Sequence, residues 1–66
     1  MHILLNDEQH TLESKTPLLS LLQQTGNDTE GSAVALNNQV IPRSQWAETL
    51  LQANDQVTVF RAIAGG

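Results

Sequence analysis

The 66-residue sequence predicts an α+β domain in which a mixed sheet of four to five strands packs on one helix. Three observations predict it. Apolar residues alternate with polar ones near both ends of the chain, in Met1 to Asn6 and in Gln56 to Arg61. One stretch, Leu18, Leu21 and Leu22, has the i, i+3, i+4 spacing of a helix with a single apolar stripe. Asn-containing pairs fall between short apolar runs, where tight hairpin turns belong. Residues 1–61 are expected to form the domain and 62–66 a flexible tail.

In the first strand, Met1, Ile3 and Leu5 share one face and His2, Leu4 and Asn6 the other. Asn6-Asp7-Glu8 supplies a turn, and Gln9 to Leu12 returns antiparallel. Thr16 reads as a helix N-cap with Pro17 at the first helical position, where a missing N–H is harmless. Leu19 flanks the apolar stripe, Gly26 is the stop signal, and the helix is expected to run about ten residues.

Asn27 to Ser32 is polar and reads as a loop. Ala33 to Leu36 and Gln39 to Ile41 form a second hairpin around Asn37-Asn38, because Asn tolerates the left-handed backbone such a turn needs. Pro42 ends that hairpin, since it cannot donate to a ladder. Ser44 is placed to cap a short helical turn through Ala47, with Leu50 and Leu51 returning to the core before the Asn54-Asp55 turn. In the last strand Val57 and Val59 take the core face, which leaves the aromatic Phe60 on the other side. The order is two hairpins separated by a helix, then a closing strand.

Hydrophobic residues make up 39 % of the chain, with one Trp, one Phe and no Tyr, so the core must be aliphatic. At this length a single core is possible but small. Three basic against seven acidic residues give a net charge of −4, which argues against a nucleic-acid partner. That charge fits either ordinary solubility or a basic partner surface. The absence of cysteine excludes disulfides, thiolate catalysis and Cys-based zinc sites. The longest apolar runs span a few residues, so neither a signal peptide nor a membrane segment is expected, and the expected compartment is the cytoplasm.

Ala62-Ile63-Ala64-Gly65-Gly66 follows the last strand. A Gly-Gly end has no Cβ, so it can thread a narrow channel and adopt backbone conformations that other residues resist. Such an end suits a chemistry in which the terminal carboxylate itself reacts. It is also what an inert, frayed terminus looks like.

Several marks extend over nearly the whole chain. They are Met-x-Ile-Leu-Leu-Asn at residues 1–6, Ala35-Leu36-Asn37-Asn38, Val40-Ile41-Pro42-Arg43-Ser44-Gln45-Trp46, Asn54-Asp55-Gln56-Val57 and the terminal Gly65-Gly66. With these the chain resembles the ThiS family, sulfur carriers of thiamine biosynthesis with the ubiquitin-like β-grasp fold. The turn before the last strand is typically Gly-Asp in that family and is Asn54-Asp55 here. Asn is the residue most at ease after Gly with positive φ, so the turn is expected to survive. The resemblance further implies that first and last strands lie side by side and parallel at the centre of the sheet.

The resemblance implies a carrier, not an enzyme: a macromolecular substrate that binds no cofactor and no metal and is a monomer alone. Gly66 would be adenylated by an E1-like, ThiF-type enzyme using ATP and Mg, so that AMP is transiently attached there. Sulfur from a persulfide donor acting through that partner would then convert Gly66 to a thiocarboxylate. A ThiG-type thiazole synthase would receive the sulfur. Without cysteine, the terminal carboxyl is the one place this chain can carry it.

Gly65 would be a steric requirement of the partner's channel, along with Ala64. Ile63 is either an apolar anchor behind the tail or an exposed residue without a role. Phe60 and Leu4 would share the outer sheet face as a partner-docking patch, unless a loop covers them. Arg61 either pairs with a partner carboxylate or is simply solvated. Trp46 is expected to plug the core. His2 and His10, on opposite strands of one hairpin, suggest no third ligand, and no two carboxylates are placed as an acid/base pair. Two alternatives stand beside the thiazole carrier: a carrier for molybdopterin or another thiolated product, and a β-grasp binding module with an incidental tail.

Overall fold

The structure, a computed structural model, describes residues 1–61. The elements are β1 (His2–Leu5), β2 (Glu8–Thr11), α1 (Leu18–Gln24), β3 (Ser32–Leu36), β4 (Gln39–Ile41), a 3-10 turn (Arg43–Gln45) and β5 (Gln56–Arg61). The five strands form one mixed sheet in the order β2-β1-β5-β3-β4. The closing strand is therefore central, parallel to β1 (Leu4 beside Gln56, Leu5 beside Val57) and antiparallel to β3 (Ser32 beside Arg61, Leu36 beside Val57). This is the one-helix, five-strand arrangement expected of a β-grasp domain.

Both hairpins close on two-residue turns whose central residues have positive φ: Asn6 at 49° and Asp7 at 68°, Asn37 at 51° and Asn38 at 69°. That geometry matches the right-handed twist of the flanking strands, which is why Asn and Asp occupy it. Asn54, in the position where the family typically has Gly, also has a positive φ of 69°. The Asp55 carboxylate holds this last turn by accepting from the Gln52 backbone N–H at 2.7 Å.

Ile3, Leu5, Leu18, Leu21, Leu22, Val34, Trp46, Leu51 and Val57 are buried in one cluster between α1 and the inner face of the sheet. Each large aliphatic side chain moved out of water contributes about 1.5–3 kcal/mol, which offsets the ordering of a chain this short. Trp46 closes one end of the core, 1 % exposed, with its indole Nε1–H donating to the Ile41 carbonyl at 2.9 Å. Its only polar atom is thereby satisfied.

Three local expectations are corrected. Pro17 does not begin the helix: it is the N-cap, in extended conformation (φ −66°, ψ 149°), and the Thr16 hydroxyl donates to the Glu13 carbonyl instead of capping. The cause is tertiary. Pro17 bridges Leu50, the Leu51 N–H donates to the Thr16 carbonyl, and the Leu18 N–H donates to the Thr49 carbonyl. These contacts hold residues 16–17 extended and shorten the helix to Leu18–Gln24. Its C-terminal end is as expected: Gly26 has φ 73°, its N–H donates to Gln23, and the Asn27 N–H donates to Leu22, a Schellman stop. Ser44 caps nothing, because the 3-10 turn starts one residue earlier with Pro42 as its N-cap. Leu50 does not return to the core; it is 50 % exposed, the outward neighbour of buried Leu51 in the bridge to Pro17.

Candidate functional site

Ile63, Ala64, Gly65 and Gly66 lie outside the described residues. What the structure defines is the base from which they continue. β3 pairs with β5 along its length, as far as Ser32 beside Arg61. On the other flank β1 ends at Leu5, and the side chain of Asn6 takes its place: the Val59 N–H donates to Asn6 Oδ1 at 2.9 Å. The turn residue thus extends the ladder on β5 beyond the end of its neighbouring strand. At the start of β5 a second Asn acts similarly, since the Gln56 N–H donates to Asn37 Oδ1 at 2.9 Å while Asn37 Nδ2 donates to Asp55.

The loop that leads into β3 is held by Arg43. Its guanidinium lies 5.0 Å from the Trp46 ring centroid and donates to the Asp28 and Thr29 carbonyls, the latter at 3.1 Å. A planar fork with several donors can reach two carbonyls while stacking on an indole, which an ammonium group cannot match. Arg43 therefore fixes the loop beside the strand that fixes β5.

Paired residues in a sheet point to the same side, so the register sorts the outer face. Phe60, 52 % exposed, stands beside Ala33, and Thr58 beside Ala35, which in turn faces the 66 % exposed Val40. These make an apolar area on β3, β4 and β5. Leu4 is on the same side but beside Gln56, four positions along β5 from Phe60, or about 13 Å at the rise of a strand. It lines a shallow groove with His2, Gln9, Asn54 and Gln56. Leu4 and Phe60 thus share a face without making one contiguous patch. Arg61, two residues on from Val59 and in register with Ser32, falls on the opposite side of the pleat from Phe60.

His2 and His10 also separate, because His2 is opposite Thr11 and His10 opposite Ile3, one on each side of the hairpin. The His2 ring is hydrogen-bonded to the Thr11 hydroxyl at 3.1 Å. Among the described residues no three His, Asp or Glu side chains gather to hold a metal ion. No helix among them is long and apolar enough to cross a membrane.

The sequence marks Asn6 as a turn residue and assigns Arg43 nothing; the acceptor for Val59 and the loop clamp come from the structure. For Asn6 the signal was available, as an Asn directly after a strand whose chain neighbour is shorter than its sheet neighbour. For Arg43 the signal is only its place in the segment Val40 to Trp46, three residues before the tryptophan.

The ThiS family model matches residues 3–66. The sulfur carrier protein ThiS of Escherichia coli (strain K12) is 39 % identical over 66 residues, covering 100 % of both chains. A thiazole synthase of Magnetococcus marinus is 39 % identical over 66 residues; the whole of this chain aligns there with 20 % of a longer protein. The crystal structure of thiamine biosynthesis protein ThiS from Geobacter metallireducens superposes with a TM-score of 0.86 at 23 % identity, covering 100 % of both chains.

Proposed function

This chain belongs to the ThiS family, sulfur carriers of thiamine biosynthesis, and from that premise we propose that its Gly66 carboxylate is the atom group that carries the sulfur. A carboxylate at neutral pH is a poor electrophile, because its charge repels nucleophiles and oxide leaves badly. Transfer of AMP from ATP, by an E1-like ThiF-type enzyme using Mg, makes Gly66 a mixed anhydride and releases pyrophosphate. The terminal sulfur of a donor persulfide attacks the acyl carbon and AMP leaves. Cleavage of the donor S–S bond by a thiol then frees Gly66 as a thiocarboxylate. This nucleophilic sulfur is delivered to a ThiG-type thiazole synthase for ring formation. The chain itself supplies no catalytic group and acts as a macromolecular substrate.

The observation that carries this reading is the end-to-end alignment with the E. coli carrier, together with Ala62-Ile63-Ala64-Gly65-Gly66 continuing from the central strand β5. A thiazole synthase, part of which aligns with this whole chain, supports the recipient class. Gly65 and Ala64 serve as the slender stem that a partner channel admits, and Ile63 as its apolar anchor.

Intact mass of the protein incubated with ATP, Mg, a cognate adenylating enzyme and a persulfide source tests the reading. A gain of about 16 Da, the exchange of one oxygen for one sulfur, is expected and must vanish when Gly66 is removed. A thiol-selective tag separates it from oxidation of Met1, which adds nearly the same mass. An unchanged mass refutes the carrier chemistry and favours a binding module.

A further inference from the structure

An acyl group activated at Gly66 reacts with whatever nucleophile reaches it, and the chain's own nucleophiles are unevenly placed. The sequence holds no Cys and no Tyr, a single lysine, Lys15, and the histidines His2 and His10. With Leu4 beside Gln56 in the parallel pair, His2 is level with Asn54, whose N–H donates to the His2 carbonyl. His10, opposite Ile3, is level with Asp55. Lys15 lies between Leu12, whose N–H donates to the Met1 carbonyl, and Thr16, whose carbonyl accepts from Leu51. The Met1 ammonium is beside them, donating to the Leu12 carbonyl at 2.7 Å. These nitrogen nucleophiles all sit at the end of the sheet where β5 begins.

The tail leaves from the other end. Ser32 stands beside Arg61 there, with Asp28 and Glu30 in the loop before β3, and the turn residue Asn6 reaches Val59 from the other flank. Amides, carboxylates and hydroxyls are poor acyl acceptors at neutral pH unless a base activates them, and a guanidinium stays protonated. From Asp55 to Arg61 the chain covers about 20 Å at the rise of a strand. Residues 62–66 span at most about 17 Å, and a tail that turns back spends part of that on the reversal. Gly66 thus falls short of His10 before any sideways distance is added, and further short of His2 and Lys15.

We propose that this separation protects the activated carrier: every amine and imidazole of the chain lies beyond the sweep of its own tail, so Gly66 is reserved for a sulfur donor presented by a partner. The inference rests on the carrier reading. The reaction it prevents is self-acylation, in which an amine nitrogen bonds to the Gly66 acyl carbon, AMP leaves with the electrons of the broken bond, and the nitrogen sheds a proton. The product is an isopeptide ring that can no longer take sulfur. Tethering makes this reaction a serious competitor. An amine within the span of a short linker meets its target at roughly millimolar effective concentration, whereas one beyond the span meets it at none.

The probe is the full chain carrying Gly66 as the thioester of a small thiol, which amines attack as they do an adenylate and which needs no adenylating enzyme. Glu30→Lys brings an amine to an exposed loop position two residues before Ser32, and Glu13→Lys makes the same charge change at an exposed position near Lys15. Thr29→Lys, also exposed, is a second variant of the first kind. Wild type and Glu13→Lys are expected to lose their thioester at the same rate, by hydrolysis alone. Glu30→Lys and Thr29→Lys are expected to lose it about tenfold faster or more. Their product should be about 18 Da lighter than the free acid, the loss of one water, with fragmentation joining Gly66 to the substituted position.

A ring formed by the wild-type chain through Lys15 or the amino terminus overturns the proposal. So do rates for both loop variants that match Glu13→Lys while their melting curves show them folded. The mass gain at Gly66 on enzymatic loading is read separately, so a chain that passes the thioester test but is never thiolated refutes the carrier reading and not the placement of the nucleophiles.

Discussion

Replacing Arg43 tests whether one surface side chain organises the loop beside the strand that carries the tail. Arg43→Ala removes hydrogen bonds to the Thr29 and Asp28 carbonyls and the stacking on Trp46. Hydrogen bonds to charged donors contribute about 1.5–3 kcal/mol when sheltered. Arg43 is exposed, so water replaces much of each, leaving about 0.5–1 kcal/mol apiece. A cation over an aromatic face adds about 0.5–1 kcal/mol at an exposed site. The expected loss is therefore about 2 kcal/mol, against a total of roughly 3–10 kcal/mol for a domain of this size. A melting temperature lower by about 8–16 °C should follow, read by far-ultraviolet circular dichroism because the substitution also alters Trp46 fluorescence. Arg43→Lys keeps the charge but not the fork, and should lie between the two. The Ser32 amide, which donates to the Thr29 carbonyl, should exchange faster in Arg43→Ala, reporting the loop locally. A variant melting within about 2 °C of wild type would refute the clamp.

Three further outcomes are expected. Trp46→Phe removes the indole hydrogen bond to the Ile41 carbonyl and opens space at the end of the core, at a cost of about 2 kcal/mol in urea unfolding; a change below about 0.5 kcal/mol would mean the indole is replaceable. Asn6→Gly keeps the positive φ but removes the acceptor for Val59, so it should cost about 1 kcal/mol and accelerate exchange of the Val59 amide, whereas Asn6→Asp should preserve that protection. Gly65→Ala should slow adenylation without lowering the melting temperature, and unchanged adenylation kinetics would remove the steric argument for that glycine.

The strands were legible because each obeys one local rule. Val57 and Val59 alternate, Asn37-Asn38 and Asn6-Asp7 fit the positive φ of tight hairpins, and nothing in the tertiary structure opposes these choices. The start of the helix was not legible. Thr16-Pro17 has the local chemistry of a cap and first turn, but the backbone of residues 49–51 binds it in extended form, and a bridge between distant segments leaves no local pattern. The expectation for Leu50 fails for a related reason, while that for Leu51 holds: two adjacent leucines in an irregular segment give no period from which to choose the buried one. For the candidate site, alternation put Phe60 and Leu4 on one side, but only the register shows that they are not neighbours.

That register is also where fold and proposed function join. The reach of residues 62–66 is about 17 Å at full extension, measured from Arg61. A slip of β5 by one residue would shift the origin of the tail by about 3.3 Å and turn Phe60 toward the helix. β3 guards against this over five residue pairs, whereas on the other flank the parallel pairing with β1 covers only Leu4 beside Gln56 and Leu5 beside Val57. Two asparagine side chains supply what is missing. Asn37 accepts from Gln56 at the start of β5, and Asn6 accepts from Val59 nearer its end. Both have positive φ, so the residues that make the hairpin turns also set the strand between them. A carrier that presents its tail from β5 needs that strand held in constant register. On this argument Asn6→Gly, though remote from Gly66, should impair delivery of the tail more than its effect on stability alone accounts for.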